Sequence, residues 1–223
     1  LNTENLIDMT YMFENCNKLK TLDISSFDTT KVTDMSYLFH YCNNLEVLDL
    51  KNFDTKNVES MTYMFNGCNS LTSLDISKFN TEKVTDMSFI FGECAKLKSI
   101  DLSGFDTKNV KDMCSMFKSC YALTSLNLDN FDTSNVGDMY NMFCECNNLK
   151  DLSFKNFVTN KVDDMYSMFN GCRSLTSLDL SKFDTREVTD MSLMFLNCRS
   201  LKFLDLNNFD TSKVTDMSHM FEA

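Results

Sequence analysis

The 223-residue chain has no proline and no tryptophan, only five glycines and only two histidines. Without Pro or Gly clusters it lacks the punctuation that marks linkers, so no domain boundary is visible. No apolar run is long enough to form a transmembrane helix, so this segment is not expected to insert in a membrane. Basic residues are outnumbered, with 21 Lys and Arg against 32 Asp and Glu and a net charge of −11. That balance argues against nucleic acid, which selects clustered Lys and Arg; protein, glycan and cation partners stay open. Only His40 and His219 could serve as neutral-pH bases, and both occupy variable positions. His40 lies two residues from Cys42, but a cysteine nucleophile needs an oriented, low-pKa thiolate. No glycine loop that could cradle phosphate is present. The chain reads as non-enzymatic, with no catalytic residues and no cofactor.

What the chain has is a phrase, FDTTKVTDMSYLFHYCNNL at residues 27–45, returning about every 26 residues. Phe27, Phe53, Phe79, Phe105, Phe131, Phe157, Phe183 and Phe209 mark one column, and Cys16 to Cys198 mark another. A tandem period of this size specifies a stacked solenoid in which each unit touches only its neighbours. Residues 1–223 therefore read as a single repeat array of about eight and a half units. The chain starts at Leu1 and ends at Ala223, each inside a unit, and reads as an excerpt of a longer array.

Within the unit, Leu19, Leu22, Ile24 and Phe27 give L-x-x-L-x-I-x-x-F, and the alternation around Asp23 predicts a short strand with one buried face. Asp28 and Thr29 follow as turn formers, and Thr29, repeated in every full unit, is expected to fix the bend. Val32, Met35, Phe39 and Cys42 then fall at helix-compatible spacings, predicting a short helix whose N-cap is Asp34. Strand, turn and short helix specify an α/β solenoid, a leucine-rich-repeat horseshoe with parallel strands on the concave face and short helices on the convex face. A pure parallel β-helix is the alternative, since a two-turn helix could also be 3₁₀ or irregular.

The string F-D-T-x-x-V-x-D-M-x-x-M-F-x-x-C-x-x-L-x-x-L-D-L resembles the BspA-like leucine-rich-repeat surface proteins of bacteria and some protozoan parasites. The resemblance covers the whole chain. It implies a cell-surface or secreted protein, anchored outside this segment, that adheres to host or neighbouring-cell protein or glycan. It implies no catalysis and carries over no binding residues, because family members share the scaffold and vary elsewhere.

All sixteen Met residues lie in two columns, represented by Met9 and Met12, which assigns them to packing. Eight of the ten cysteines share one inward column and read as buried free thiols, with neighbour disulfides as the alternative. Cys114 and Cys144 lie off that column and read as incidental substitutions or as exposed, reactive thiols. No metal site is expected, since zinc needs converging ligands at short spacing.

Function is sought where side chains leave the concave face. One column runs Asp23, Asp49, Asp75, Asp101, Asn127, Ser153, Asp179, Asp205. Stacked carboxylates about 5 Å apart repel by roughly 0.8 kcal/mol per pair in water. The lysines Lys20, Lys51, Lys98, Lys150, Lys155 and Lys202 are one expected offset; a basic ligand or Ca²⁺ is the other. The neighbouring column varies, with Val47, Asp151 and Phe203 among its members, and around Asp151 the phrase weakens at Ser153, Phe154 and Val158. The candidate ligand-binding strip is therefore Asp23, Asp49, Asp75, Asp101, Asp151, Asp179, Phe203 and Asp205. A convex aromatic patch, Tyr11, Tyr37, Tyr63 and Phe89, could dock adjoining repeats. The alternative to recognition is a structural spacer or filament former that self-associates through exposed ends.

Overall fold

Each 26-residue unit forms one rung of a right-through stack, and the core is a column of side chains shared between rungs. The computed structural model describes residues 1–223. A single cluster of 61 buried apolar residues runs from Met9 to Met220. Its centre is a ladder of phenylalanines, Phe39, Phe65, Phe91, Phe117, Phe143, Phe169 and Phe195, continued by Phe13 and Phe221 at its two ends. Successive rings are nearly parallel, with centroids 5.6 to 5.9 Å apart. Offset stacking at that distance is favourable beyond the area it buries.

Strands form where the sequence alternates, but they are short. β1 (Thr21–Leu22) pairs in parallel with β2 (Val47–Leu48), and β3 (Ser125–Asn127) with β4 (Asp151–Ser153). The register matches equivalent positions, Thr21 with Val47 and Leu126 with Leu152. An isolated bridge joins Ser177 to Phe203. Along β3 the middle residue is buried and its neighbours are exposed, the expected period of two.

The expected convex helices are absent; the elements of the chain are strands and turns. In their place, alternate amides cross to the next rung: Met35 N to Ser60 O, Tyr37 N to Thr62 O, Phe39 N to Met64 O and Tyr41 N to Asn66 O, at 2.8 to 3.1 Å. The intervening amides close tight turns onto residue i−3, as Leu38 N does to Met35 O and His40 N to Tyr37 O. Tyr37 and Tyr41, with their equivalents in other rungs, take φ values near +54° to +61°, or +73° to +75° at Gly67 and Gly171. A left-handed residue every fourth position excludes a continuous right-handed helix. The physical reason lies in the stack. A two-turn helix is marginal by itself, whereas a neighbouring rung offers partners to backbone groups all along the segment. Tight turns still place Met35, Leu38, Phe39 and Cys42 inward, all fully buried, so the apolar spacing cannot distinguish them from a helix.

Asp34 consequently caps no helix. Its Oδ1 accepts the amide of Ser36 at 2.8 Å, an Asx turn, and the column Asp8 to Asp216 bridges rung to rung in parallel. Thr29 also acts between rungs rather than within its bend. Its hydroxyl donates to Asp54 O (3.0 Å) and accepts from Asp54 N (2.8 Å), and it is buried. Thr81, Thr107, Thr133, Thr159 and Thr185 repeat the staple.

The cysteines are all free thiols. Cys42 Sγ donates to Phe13 O at 3.1 Å, and the later column members reach the preceding rung's Phe carbonyl in the same way, as Cys120 does to Phe91 O. Burial pushes the Cys120 thiol up to about 12, so it stays protonated and serves as a small inter-rung donor.

A candidate recognition groove on the strand face

The outward aspartates Asp23, Asp49, Asp75, Asp101, Asp179 and Asp205 are all exposed on the strand face, as is Asp151. Phe203 is 71% exposed and Val47 is 62% exposed. The column aspartates have a local task that the sequence did not reveal. Each Oδ1 accepts the amide two residues on, as Asp23 does from Ser25 (3.0 Å), Asp75 from Ser77 (3.1 Å) and Asp205 from Asn207 (3.0 Å). These Asx turns bend the chain off the strand. Hydrogen bonds from Ser25 and Ser77 hold the Asp23 and Asp75 carboxyls below their ordinary value. The expected lysine offset is sparse: Lys51 pairs with Asp49 at 2.8 Å, while Lys20 turns to Glu46 at 3.2 Å. Hydrogen bonding and solvent, more than ion pairs, accommodate the column.

At Asn127 and Ser153 the carboxylate column breaks, and there the strands are longest. Ser153 caps more weakly than an aspartate would, and the amide of Lys155 goes instead to Asp129 of the preceding rung at 3.0 Å. The same carboxylate accepts the Ser153 hydroxyl at 2.5 Å and the Lys155 ammonium at 2.8 Å. Lys155 and Ser153 together draw the Asp129 carboxyl down to about 2. Asp129 and Lys155 therefore form an ion pair between rungs at the irregular unit. Sequence reasoning missed Asp129. The available signal was a compensated pair of departures, an acid gained at 129 where an acid is lost at 153.

Around this break the strand face opens into a groove of about 540 Å³, bordered by Ser99, Ser125, Asn127, Lys150, Asp151 and Ser177. Ile100, Leu126 and Leu152 form its apolar base. A recess of about 320 Å³ continues it past Ser153, Phe154 and Asp179. Another of about 400 Å³ follows, between Asp179, Phe203, Asp205 and Asn207. Asp151 lines the first of these adjoining recesses, Asp179 the second and third, and Phe203 and Asp205 the third. Asp23, Asp49, Asp75 and Asp101 lie outside their lining.

Two other groupings stand on the turn side. The rings of Tyr11, Tyr37, Tyr63 and Phe89 stack at 4.3 to 4.7 Å, so their faces are largely spent on each other. His40 packs edge-on against Tyr37 and Tyr63 and pairs with Glu14 at 2.9 Å. Asp112, Cys114 and Asp138, half-buried, bring their ligand atoms within 4.8 Å of one another, a grouping that sequence spacing did not suggest. Burial raises both carboxyls above their ordinary value and lifts the Cys114 thiol to about 12, so the thiol is neutral at physiological pH. Cys144, expected as an exposed thiol or an incidental substitution, is buried beside Ser167 Oγ at 3.7 Å. No helix is long and apolar enough to cross a membrane.

Comparison with known proteins places the chain among repeat proteins. A family profile described as "Mycoplasma protein of unknown function, DUF285" matches residues 1–74, 33–150 and 122–223. Among curated proteins none matches. A leucine-rich repeat protein of T. pallidum (TpLRR) is 20% identical with a TM-score of 0.52, covering 78% of this chain and 74% of that one. A leucine-rich repeat protein of Eubacterium ventriosum is 16% identical with a TM-score of 0.53, covering 86% of this chain and 46% of that one. The likeness establishes a leucine-rich-repeat solenoid, and no catalytic family is indicated.

Proposed function

We propose that this chain, which belongs to the DUF285 family of repeat proteins, is a non-catalytic recognition module of the BspA-like kind, displayed at the cell surface or secreted. Its strand face takes a protein or glycan from a host or a neighbouring cell. One observation carries this reading: side-chain variation, exposure and open volume coincide on the strand face, at Asp151 and Phe203. The turn face offers no such coincidence, because its backbone and its aromatic rings are already engaged between rungs.

The test is a pull-down from extracellular matrix with the wild-type chain and with a Asp151→Ala, Phe203→Ala double variant of unchanged circular dichroism. Loss of capture in the variant supports the strand face. Equal capture by both proteins removes it.

A further inference from the structure

We infer that the row of adjoining recesses from Ser99 to Phe203 binds a neutral oligosaccharide, with one pyranose ring laid on Phe203. The inference rests on the strand-face reading above and specifies the ligand class.

The rungs follow one another along the strand face, with the amides of Lys98, Lys150 and Lys202 bonded to the preceding rung's Thr72, Thr124 and Thr176 carbonyls. A ligand laid across this face meets outward side chains and not the edge of a sheet, so recognition falls to side chains. Those side chains are short and polar: Ser99, Ser125, Asn127, Asp151 and Ser177. Serine, aspartate and lysine are the types depleted from protein–protein interface centres, which favour aromatic, Met and Arg residues. Hydroxyls and amides that both donate and accept, beside carboxylates that only accept, complement a ligand whose surface is mostly O–H groups.

Charge narrows the class to a neutral one. The lining mixes signs, Asp151, Asp179 and Asp205 with Lys150 and Lys182, while the Lys155 ammonium is held by Asp129 at 2.8 Å. No cluster of one sign is there to select an ionised sugar, whereas neutral hydroxyls can donate to the carboxylates and accept from the ammonium groups. Phe203 supplies the apolar contact. Its ring is exposed, and its backbone bridges in parallel to Ser177, placing it one rung from the serine row. The negative face of an aromatic ring attracts the weakly positive C–H face of a pyranose. From Ser99 to Phe203 the row crosses four rung steps, about 19 Å at strand spacing.

The experiment titrates the full chain with cellohexaose, chitohexaose and mannohexaose, with a hexagalacturonate and a mixed-sequence extended peptide as parallel arms. Isothermal calorimetry and ¹⁵N chemical shifts are the readouts. Expected is binding of at least one neutral hexasaccharide, with shifts at Ser125, Asp151 and Ser177. Affinity should fall about tenfold in Phe203→Ala, as for an anchor residue, and persist in Phe203→Tyr. Binding of the uronate or the peptide alone overturns the saccharide assignment. So does neutral-sugar binding indifferent to Phe203→Ala and Asp151→Ala, and so does no neutral-sugar binding at millimolar concentration. If the peptide then shifts the same strand-face signals, the strand-face reading stands without the sugar. If shifts fall instead around Tyr37 and Tyr63, that reading fails as well.

Discussion

The two faces of the array are built from the same 26-residue phrase but hold their backbones differently. On the turn face nearly every peptide group is satisfied by a neighbouring rung or by a tight turn, and the inward side chains are fully buried. On the strand face the pairing shrinks to pieces of two or three residues, and the outward side chains meet solvent. The turn face is thus constrained at almost every position, while on the strand face the outward column of Ser125, Asp151, Ser177 and Phe203 is exposed to solvent and tolerates different side chains. In a repeat protein, this difference decides where recognition can evolve.

The sharpest way to break the comparison is to remove the same kind of mass from each face. Phe117 stacks between Phe91 (5.7 Å) and Phe143 (5.9 Å). Phe117→Ala should cost about 3–5 kcal/mol in urea unfolding. Phe203→Ala, which removes the same ring from the strand face where it is 71% exposed, should stay within about 0.5 kcal/mol. Equal costs would show that the faces are not differently constrained.

A smaller effect tests turn against helix. Ser115 is buried with φ of +54°, a conformation that a β-branched residue resists. Ser115→Val should therefore cost about 1–3 kcal/mol, and Ser115→Gly much less. A helix at this position would reverse the order, since glycine is the poorer helix former. The inter-rung staple ranks next: Thr133→Val removes the hydroxyl bonded to Val158 N and O and should cost about 1–3 kcal/mol.

The smallest expected effect concerns charge. Burial raises the Asp112 carboxyl above its ordinary value of 3.8, with Asp86 adding to it. A raised folded-state value means that ionisation disfavours the fold, so stability falls as pH rises from 3.8 through the folded value. Asn can still accept the Cys114 amide, which Asp112 Oδ1 holds at 2.8 Å. Asp112→Asn should raise the melting temperature at pH 7, and the gain should vanish below pH 3.8. For Asp75 the sign is opposite, because its carboxyl lies below the ordinary value. Its contribution holds above 3.8 and is lost as pH falls. Asp75→Asn should show no gain at pH 7.

Much of this could be read from the chain. The period, the inward columns, the parallel strand pairing and the buried free cysteines follow from residue spacing, because a column repeated in every unit must serve the stack. Phe203 and Asp151 were visible as departures from the phrase. The turn face was misread because apolar residues three and four apart suit a helix and a run of tight turns equally. Asp129 went unnoticed because it acts on the next rung, at Lys155, outside any local motif.

The sequence by itself determined that the chain stacks, which side chains line the core and which columns face out, since these depend only on periodicity and burial. Only the tertiary structure decided how the backbone between Val32 and Cys42 is satisfied and where the strand face opens into a groove. Both depend on hydrogen bonds between residues about 26 apart, and those partners exist only once one rung lies on another.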